Sequence, residues 1–203
     1  EKESLNVMAP HFTLMRTGRP LVIAKFAMSL DGKIASVSGE SKWITGRKAR
    51  ERVHQLRSHC DAVMVGINTV LTDDPKLTAR DGVLPEGFTQ PLRVVVDSNM
   101  RTPVTSSICN RDAKTLIATC KSDTHPEFPD SVSVKTFPSN SSGVDLDALF
   151  KYLGDMSVTS VLVEGGSSLL GSLFDQRLVD KVYAFLAPII IGGSSKGVVG
   201  GRG

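Results

Sequence analysis

The sequence predicts an α/β domain whose central sheet is mostly parallel and flanked by helices on both faces, and three observations carry that expectation. Short continuous apolar runs recur along the chain, among them LVIAKFAMS (21–29), DAVMVG (61–66) and LRVVVDS (92–98), the pattern of strands buried on both sides. Between such runs lie segments whose apolar residues repeat at helical spacing. One junction, VLVEGGSSLLGSLFDQ (161–176), reads directly as strand, tight glycine turn and helix.

Taken in order, residues 1–19 are polar and end in RTGRP, the expected form of a connector into a domain covering 20–203. The run 21–29 is a buried strand, and LDGK supplies the turn after it. From Thr45, a candidate N-cap, GRKARERVHQLRSH sets Ala49, Val53 and Leu56 at i, i+4 and i+7, an amphipathic helix with a basic outer side. The runs 61–66 and 92–98 follow as strands, then TLIATC (115–120) and VSVKTF (132–137). The Ser/Pro/Asn stretch at 138–143 is a loop. DLDALFKYLGDM (145–156) is helical by period with Asp145 as cap, and KVYAFLAPIIIGG (181–193) is a strand closed by glycines.

Composition narrows the function classes. A chain of 203 residues with 40% apolar and 22% charged residues supports one well-buried domain. A net charge of +3, with acidic and basic residues interleaved except between Arg47 and Arg57, argues against nucleic acid and fits a small anionic ligand. No apolar run is long enough to span a bilayer, and no signal-peptide pattern opens the chain. Cys60, Cys109 and Cys120 are odd in number and scattered, and the four His lack metal spacing, so neither disulfides nor a metal are expected. A reducing, cytoplasmic setting fits best, and a first residue other than Met leads to the expectation of a fragment of a longer protein.

Four places are candidates for chemistry. At 164–172, Glu164 stands at the carboxyl end of a predicted central strand, where open α/β sheets bind ligands, and the glycine turn aims backbone N–H groups at an anion. The glycines at 165, 166 and 171 match neither G-x-G-x-x-G nor a Walker A loop, so a helix start built for close packing is an equal alternative. GESKWITG (39–46) holds the single Trp in a polar loop, either a lid over something flat or a core anchor. NTVLTDDPKLTAR (68–80) is a turn signal at Asp73-Asp74-Pro75, and it also gathers Thr69, Asp73 and Arg80 after a strand. In the basic helix, Arg50, His54 and Arg57 form one stripe, of which Arg57 is the candidate because it precedes the strand feeding the third place. No nucleophile elbow and no zinc-deaminase signature is present.

Together, FAMSLDGKIA, SGESKWITG, LRSHCDAVMVG, TVLTDDPKLTAR, RVVVDS, VLVEGG and LVDKVYAFLAPIIIGG resemble, in this order, the reductase of riboflavin biosynthesis. The likeness runs from residue 20 to 193, and SLDGKIA, TDDPKLT and VEGG in one chain are a specific combination. LNVMAPHFTLMRTGRP is similar to the connector that follows the deaminase domain in the bacterial fusion enzyme. The resemblance implies a dihydrofolate-reductase-like fold, NADPH, a homodimer, and reduction of a ribosylaminopyrimidine 5′-phosphate to the ribitylamino compound by hydride transfer to C1′. It further implies cofactor contacts from Ala27, Trp43, Thr69, Asp73, Ser98 and the turn Gly166, Ser167, Ser168, Leu169, Leu170, Gly171 and Ser172. The implied substrate contacts are Lys25, Ser41, Arg57, Leu77, Arg80 and Glu164, with Arg57 and Arg80 as phosphate clamps and Glu164 as the group that holds or relays a proton.

The family continues past IIIGG into a closing strand pair where this chain stops at GVVGGRG, so truncation at the carboxyl end is expected. The deaminated pyrimidine is the expected substrate, with the diamino form as alternative. A dihydrofolate reductase is the second reading, which the Arg57–Arg80 pair disfavours because a pterin carries no phosphate. A non-catalytic NADPH-binding module is the third.

Overall fold

In a computed structural model, residues 2–35, 46–80, 84, 87–122, 126–140, 143–195 and 197–201 are described, residues 2–7 by their backbone only. A seven-stranded sheet is formed by β1 (Leu21–Ser29), β2 (Ala62–Gly66), β3 (Leu92–Val96), β4 (Thr115–Thr119), β5 (Val132–Thr136), β8 (Ser160–Glu164) and β9 (Lys181–Ala187). Its order is β5-β4-β3-β2-β8-β1-β9 and every pairing is parallel. β6 (Ser139–Asn140) and β7 (Gly143–Val144) make a small antiparallel hairpin where the sequence reading expected a loop.

The strands alternate between two apolar clusters, as period-two side chains on a sheet covered on both faces must. Val22, Ala24, Met64, Val94, Val161 and Val163 face the helices α4 (Leu146–Asp155) and α5 (Ser167–Asp175), which contribute Leu149, Phe150, Leu153 and Leu173. Ile23, Val63, Val65, Val95, Ile117 and Leu162 face α2 (Arg47–Ser58) and α3 (Ile67–Asp73), through Leu56, Ile67 and Val70. The expected α/β architecture with helices on both faces is therefore present.

Charged side chains pin the strand starts. Asp61 accepts from the N–H and hydroxyl of Thr159 at 2.7 and 2.6 Å and from Ser160 N–H, and its own N–H donates to the Ser160 hydroxyl. This fixes β2 against β8 at the amino end, where a one-residue slip would turn every side chain to the wrong face. Asp180 does the same for β1, accepting from Val22 N–H at 2.8 Å and from Arg19 in a two-pronged ion pair. At the carboxyl end of β1, Asp31 in the LDGK turn accepts from Ile191 and Gly192 N–H. The Ser29 hydroxyl and these two amides hold its carboxyl down at about 2.

Two helices depart from the sequence expectation. Residues 2–17, expected as connector, form α1 (Lys2–Thr17). Its exposed Met8, Phe12 and Met15 recur at i, i+4 and i+7, a helical spacing interrupted in the sequence by Pro10. The stretch read as a turn at 68–80 begins as the seven-residue α3, which turns out at Asp74 with a left-handed φ of 40°. The cap of α2 is Gly46, and Thr45 lies outside the described residues. In α4, Asp145 accepts from Ala148 N–H at 3.1 Å as the sequence implies.

Residues 197–201 fold back over α5. Gly200 N–H donates to the Ser167 carbonyl at 2.9 Å, and a Cβ on Gly171 would lie 2.3 Å from the Gly200 backbone. Gly171→Ala is accordingly expected to cost about 1–3 kcal/mol by overpacking, measured by urea unfolding; an unchanged midpoint would show that the segment yields freely.

Candidate active site

Strand β8 lies between β1 and β2, and the helices that follow β2 and β8, α3 and α5, leave on opposite faces. The carboxyl ends of these strands therefore open into a crevice, the place where open α/β sheets bind ligands.

The first of two adjoining clefts is lined by Gly66, Asn68, Thr69, Ser98, Gly166, Ser168 and Ser172, with Val96, Val144 and Leu169 as its apolar wall. It stands over the start of α5, whose first N–H groups have no carbonyl of their own helix to reach. Gly165 and Gly166 hold φ of 110° and 84°, which a side chain rarely tolerates. A Cβ on Gly166 would also come within 3.4 Å of the Thr69 hydroxyl oxygen. This bare, donor-rich turn fits the pyrophosphate of a dinucleotide. Ser98 is fixed as part of the wall, its hydroxyl accepting from Val144 N–H at 3.1 Å.

The second cleft meets the first at Thr69 and Gly166 and is lined by Lys25, Ala27, Arg57, Asp73, Leu77, Glu164 and Leu170, among others. Its floor is charged. Lys25 on β1 and Glu164 on β8 are register partners, so their side chains point to the same face, and Lys25 Nζ lies 3.6 Å from Glu164 Oε2. Arg57, at the end of α2, grips the same carboxylate with Nε–Oε1 at 2.5 Å and Nη2–Oε2 at 3.1 Å. Its Nη1 donates to the Thr78 carbonyl at 3.0 Å.

Glu164 is 9% exposed, and burial alone pushes its carboxyl up, but the charges of Arg57 and Lys25 and their hydrogen bonds outweigh that and hold it below the ordinary carboxylate value. The group is an anion at neutral pH.

Of the residues singled out from sequence, Lys25, Ala27, Thr69, Asp73, Leu77, Ser98, Arg57, Glu164, Gly166, Ser168, Leu169, Leu170 and Ser172 line one or both clefts. Ser167 and Gly171 are instead turned to the Gly200 segment. Arg80 is exposed and lines neither cleft. Ser41 and Trp43 lie outside the described residues. Arg57, expected as a phosphate clamp, commits three N–H groups to Glu164 and Thr78. The sequence reading passed over Asn68, Val144 and Gly66; Asn68 and Gly66 flank the start of α3, and a helix recognised there would have brought them forward.

Because the folded value of Glu164 lies below its unfolded value of about 4.3, the pairing contributes stability above that pH and loses it as pH falls through the folded value. Urea unfolding at successive pH is expected to show wild type losing more stability than Glu164→Gln between about pH 5 and pH 3. Parallel curves would contradict the assigned charge state.

The chain is 42% identical over 209 residues to riboflavin biosynthesis protein RibD of Actinobacillus pleuropneumoniae, covering 100% of this chain and 54% of that protein. It is 42% identical over 188 residues to the 2,5-diamino-6-ribosylamino-4(3H)-pyrimidinone 5′-phosphate reductase of Methanothermobacter thermautotrophicus, covering 91% of this chain and 86% of that protein. The solved structure of Acinetobacter baumannii RibD superposes with a TM-score of 0.86 at 30% identity, over 100% of this chain and 55% of that one. The chain spans about half the length of the RibD relatives it matches. The family model of the RibD C-terminal domain matches residues 20–203, and the chain belongs to that family.

Proposed function

We propose that the chain is an NADPH-dependent reductase that converts the ribosyl group of 5-amino-6-(5-phosphoribosylamino)uracil to the ribitylamino product in riboflavin biosynthesis. The observation that carries the reading is the junction of the two clefts at Thr69 and Gly166, which sets a donor-rich glycine turn beside a charged pocket. A dinucleotide held on the turn would abut that pocket. The archaeal relative, named a reductase and matched over most of its length, supports the same reaction class.

NADPH, when bound, supplies hydride. The chain's own residues do the rest. Gly165 and Gly166 would admit a pyrophosphate to the backbone, and Thr69 and Ser98, which line the cleft there, would hold it. Glu164, held as an anion, favours a protonated imine at C1′ of the ring-opened ribose, the better hydride acceptor, in a site where charge is little screened. Lys25, beside Glu164 in the pocket, is the group we assign to move the accompanying proton, because an ionised Glu164 has none to give.

The deaminated pyrimidine is the favoured substrate because LNVMAPHFTLMRTGRP is similar to the connector that follows the deaminase domain in the bacterial fusion enzyme. The diamino form is the alternative. We further propose residues 1–19 as a connector and 20–203 as the reductase domain, an upstream deaminase domain in the full protein, a homodimer, and work in the cytoplasm. The name of the Thermotoga maritima structure, a deaminase and reductase of which this chain covers 53%, supports the fusion. The three cysteines are free, which fits a reducing compartment. Among the described residues no helix is long and apolar enough to cross a membrane.

The test is NADPH oxidation at 340 nm with each pyrimidine and with dihydrofolate. Turnover is expected on the deaminated form, and Glu164→Gln is expected to lower kcat about 100-fold. Gly166→Val is expected to weaken NADPH at least about tenfold by denying the backbone approach. NADPH binding with no turnover on either pyrimidine would instead make the chain a binding module.

A further inference from the structure

Leu77 is buried to 2% exposure with a left-handed φ of 53°, a conformation that costs a bulky residue about 1–3 kcal/mol and persists only where the surroundings impose it. The next three residues belong to no sheet. Their backbone groups are held by side chains instead.

Gln90 brackets Ala79 as a strand neighbour would, its Oε1 accepting from Ala79 N–H at 2.8 Å and its Nε2 donating to the Ala79 carbonyl at 3.0 Å. On α2, His54 Nδ1 lies 3.2 Å from both Arg80 N and the Thr78 carbonyl oxygen. Arg57, one turn further along the same helix, donates to that carbonyl as well. A neutral imidazole with its proton on Nε2 accepts from Arg80 N–H and leaves the Thr78 carbonyl to Arg57.

We propose that His54 and Gln90 are positioning residues that lock the Leu77–Arg80 backbone and thereby set Arg80 for the 5′-phosphate of the substrate. This rests on the reductase reading for its ligand. Leu77 lines the second cleft, and Arg80 follows three residues later, within about 10 Å of extended chain. Ala79 is 1% exposed, so without Gln90 its N–H and carbonyl would be buried without these partners. The same α2 helix that grips Glu164 through Arg57 thus fixes the phosphate end of the pocket through His54. Sugar and phosphate are then held at a set separation.

The test begins with His54→Ala, His54→Asn, Gln90→Ala and Arg80→Ala, assayed with the phosphorylated substrate and its dephosphorylated counterpart. His54→Ala is expected to raise KM for the phosphorylated substrate about tenfold, the order of one charge-assisted contact, with kcat within about twofold and the dephosphorylated substrate unaffected. His54→Asn, whose amide oxygen can accept from Arg80 N–H, should restore much of the loss. Combining His54→Ala with Arg80→Ala should add nothing further, since both act through one contact. Equal KM increases for both substrates, or additive losses in the double variant, would overturn the proposal. Amide hydrogen exchange decides it without any substrate: protection should be lost selectively at Arg80 in His54→Ala and at Ala79 in Gln90→Ala. Unchanged protection would overturn the positioning role even if turnover is normal. Absence of wild-type turnover with the expected exchange pattern would sink the reductase reading and leave the backbone lock standing.

Discussion

A buried carboxylate is tolerated only where opposite charge and hydrogen bonds replace the water it has lost, and Glu164 draws that replacement from two other elements of the fold. Lys25 comes from the neighbouring strand in register, and Arg57 from the last turn of α2. The ion cluster can form only if β8 lies between β1 and β2 and α2 ends beneath it. It therefore ties the site to the sheet order. Removing either cation leaves a carboxylate in poor dielectric surroundings, so the cluster constrains which substitutions the fold tolerates as well as which ligands the pocket takes.

The departure of the two helices to opposite faces of the sheet does the rest. Because α3 and α5 cover different faces, the strand ends between them stay open, and two glycines of positive φ keep the rim free of side chains. The two clefts then share Thr69 and Gly166 as common border. Such sharing suits a hydride transfer, in which two ligands must touch and water must be kept from both.

Much of the sheet was legible because its strands are uninterrupted apolar runs, and a parallel strand covered on both faces has little polar pattern to confuse it. Glu164 stood out for the same reason, as a charge ending such a run before two glycines. The helix α3 was not legible: seven residues give Ile67 and Val70 a single turn of periodicity, and Asp73-Asp74-Pro75 reads as a turn whatever precedes it. The helix α1 carries Met8, Phe12 and Met15 at helical spacing, but Pro10 between them reads as a helix breaker. The partners of Arg57 were beyond reach as well. A guanidinium at a helix end looks alike whether it meets a ligand phosphate or a carboxylate 107 residues away in sequence.

Glu164 is a fixed anion held by Arg57 and Lys25. The most direct measurement is the titration of its side-chain carboxyl by carbon-13 NMR in glutamate-labelled protein, with the resonance assigned by Glu164→Gln. The carboxylate is expected to stay ionised down through the ordinary glutamate value of about 4.3 and to titrate below it. A midpoint near neutrality would contradict it, and would return to Glu164 the role of proton donor.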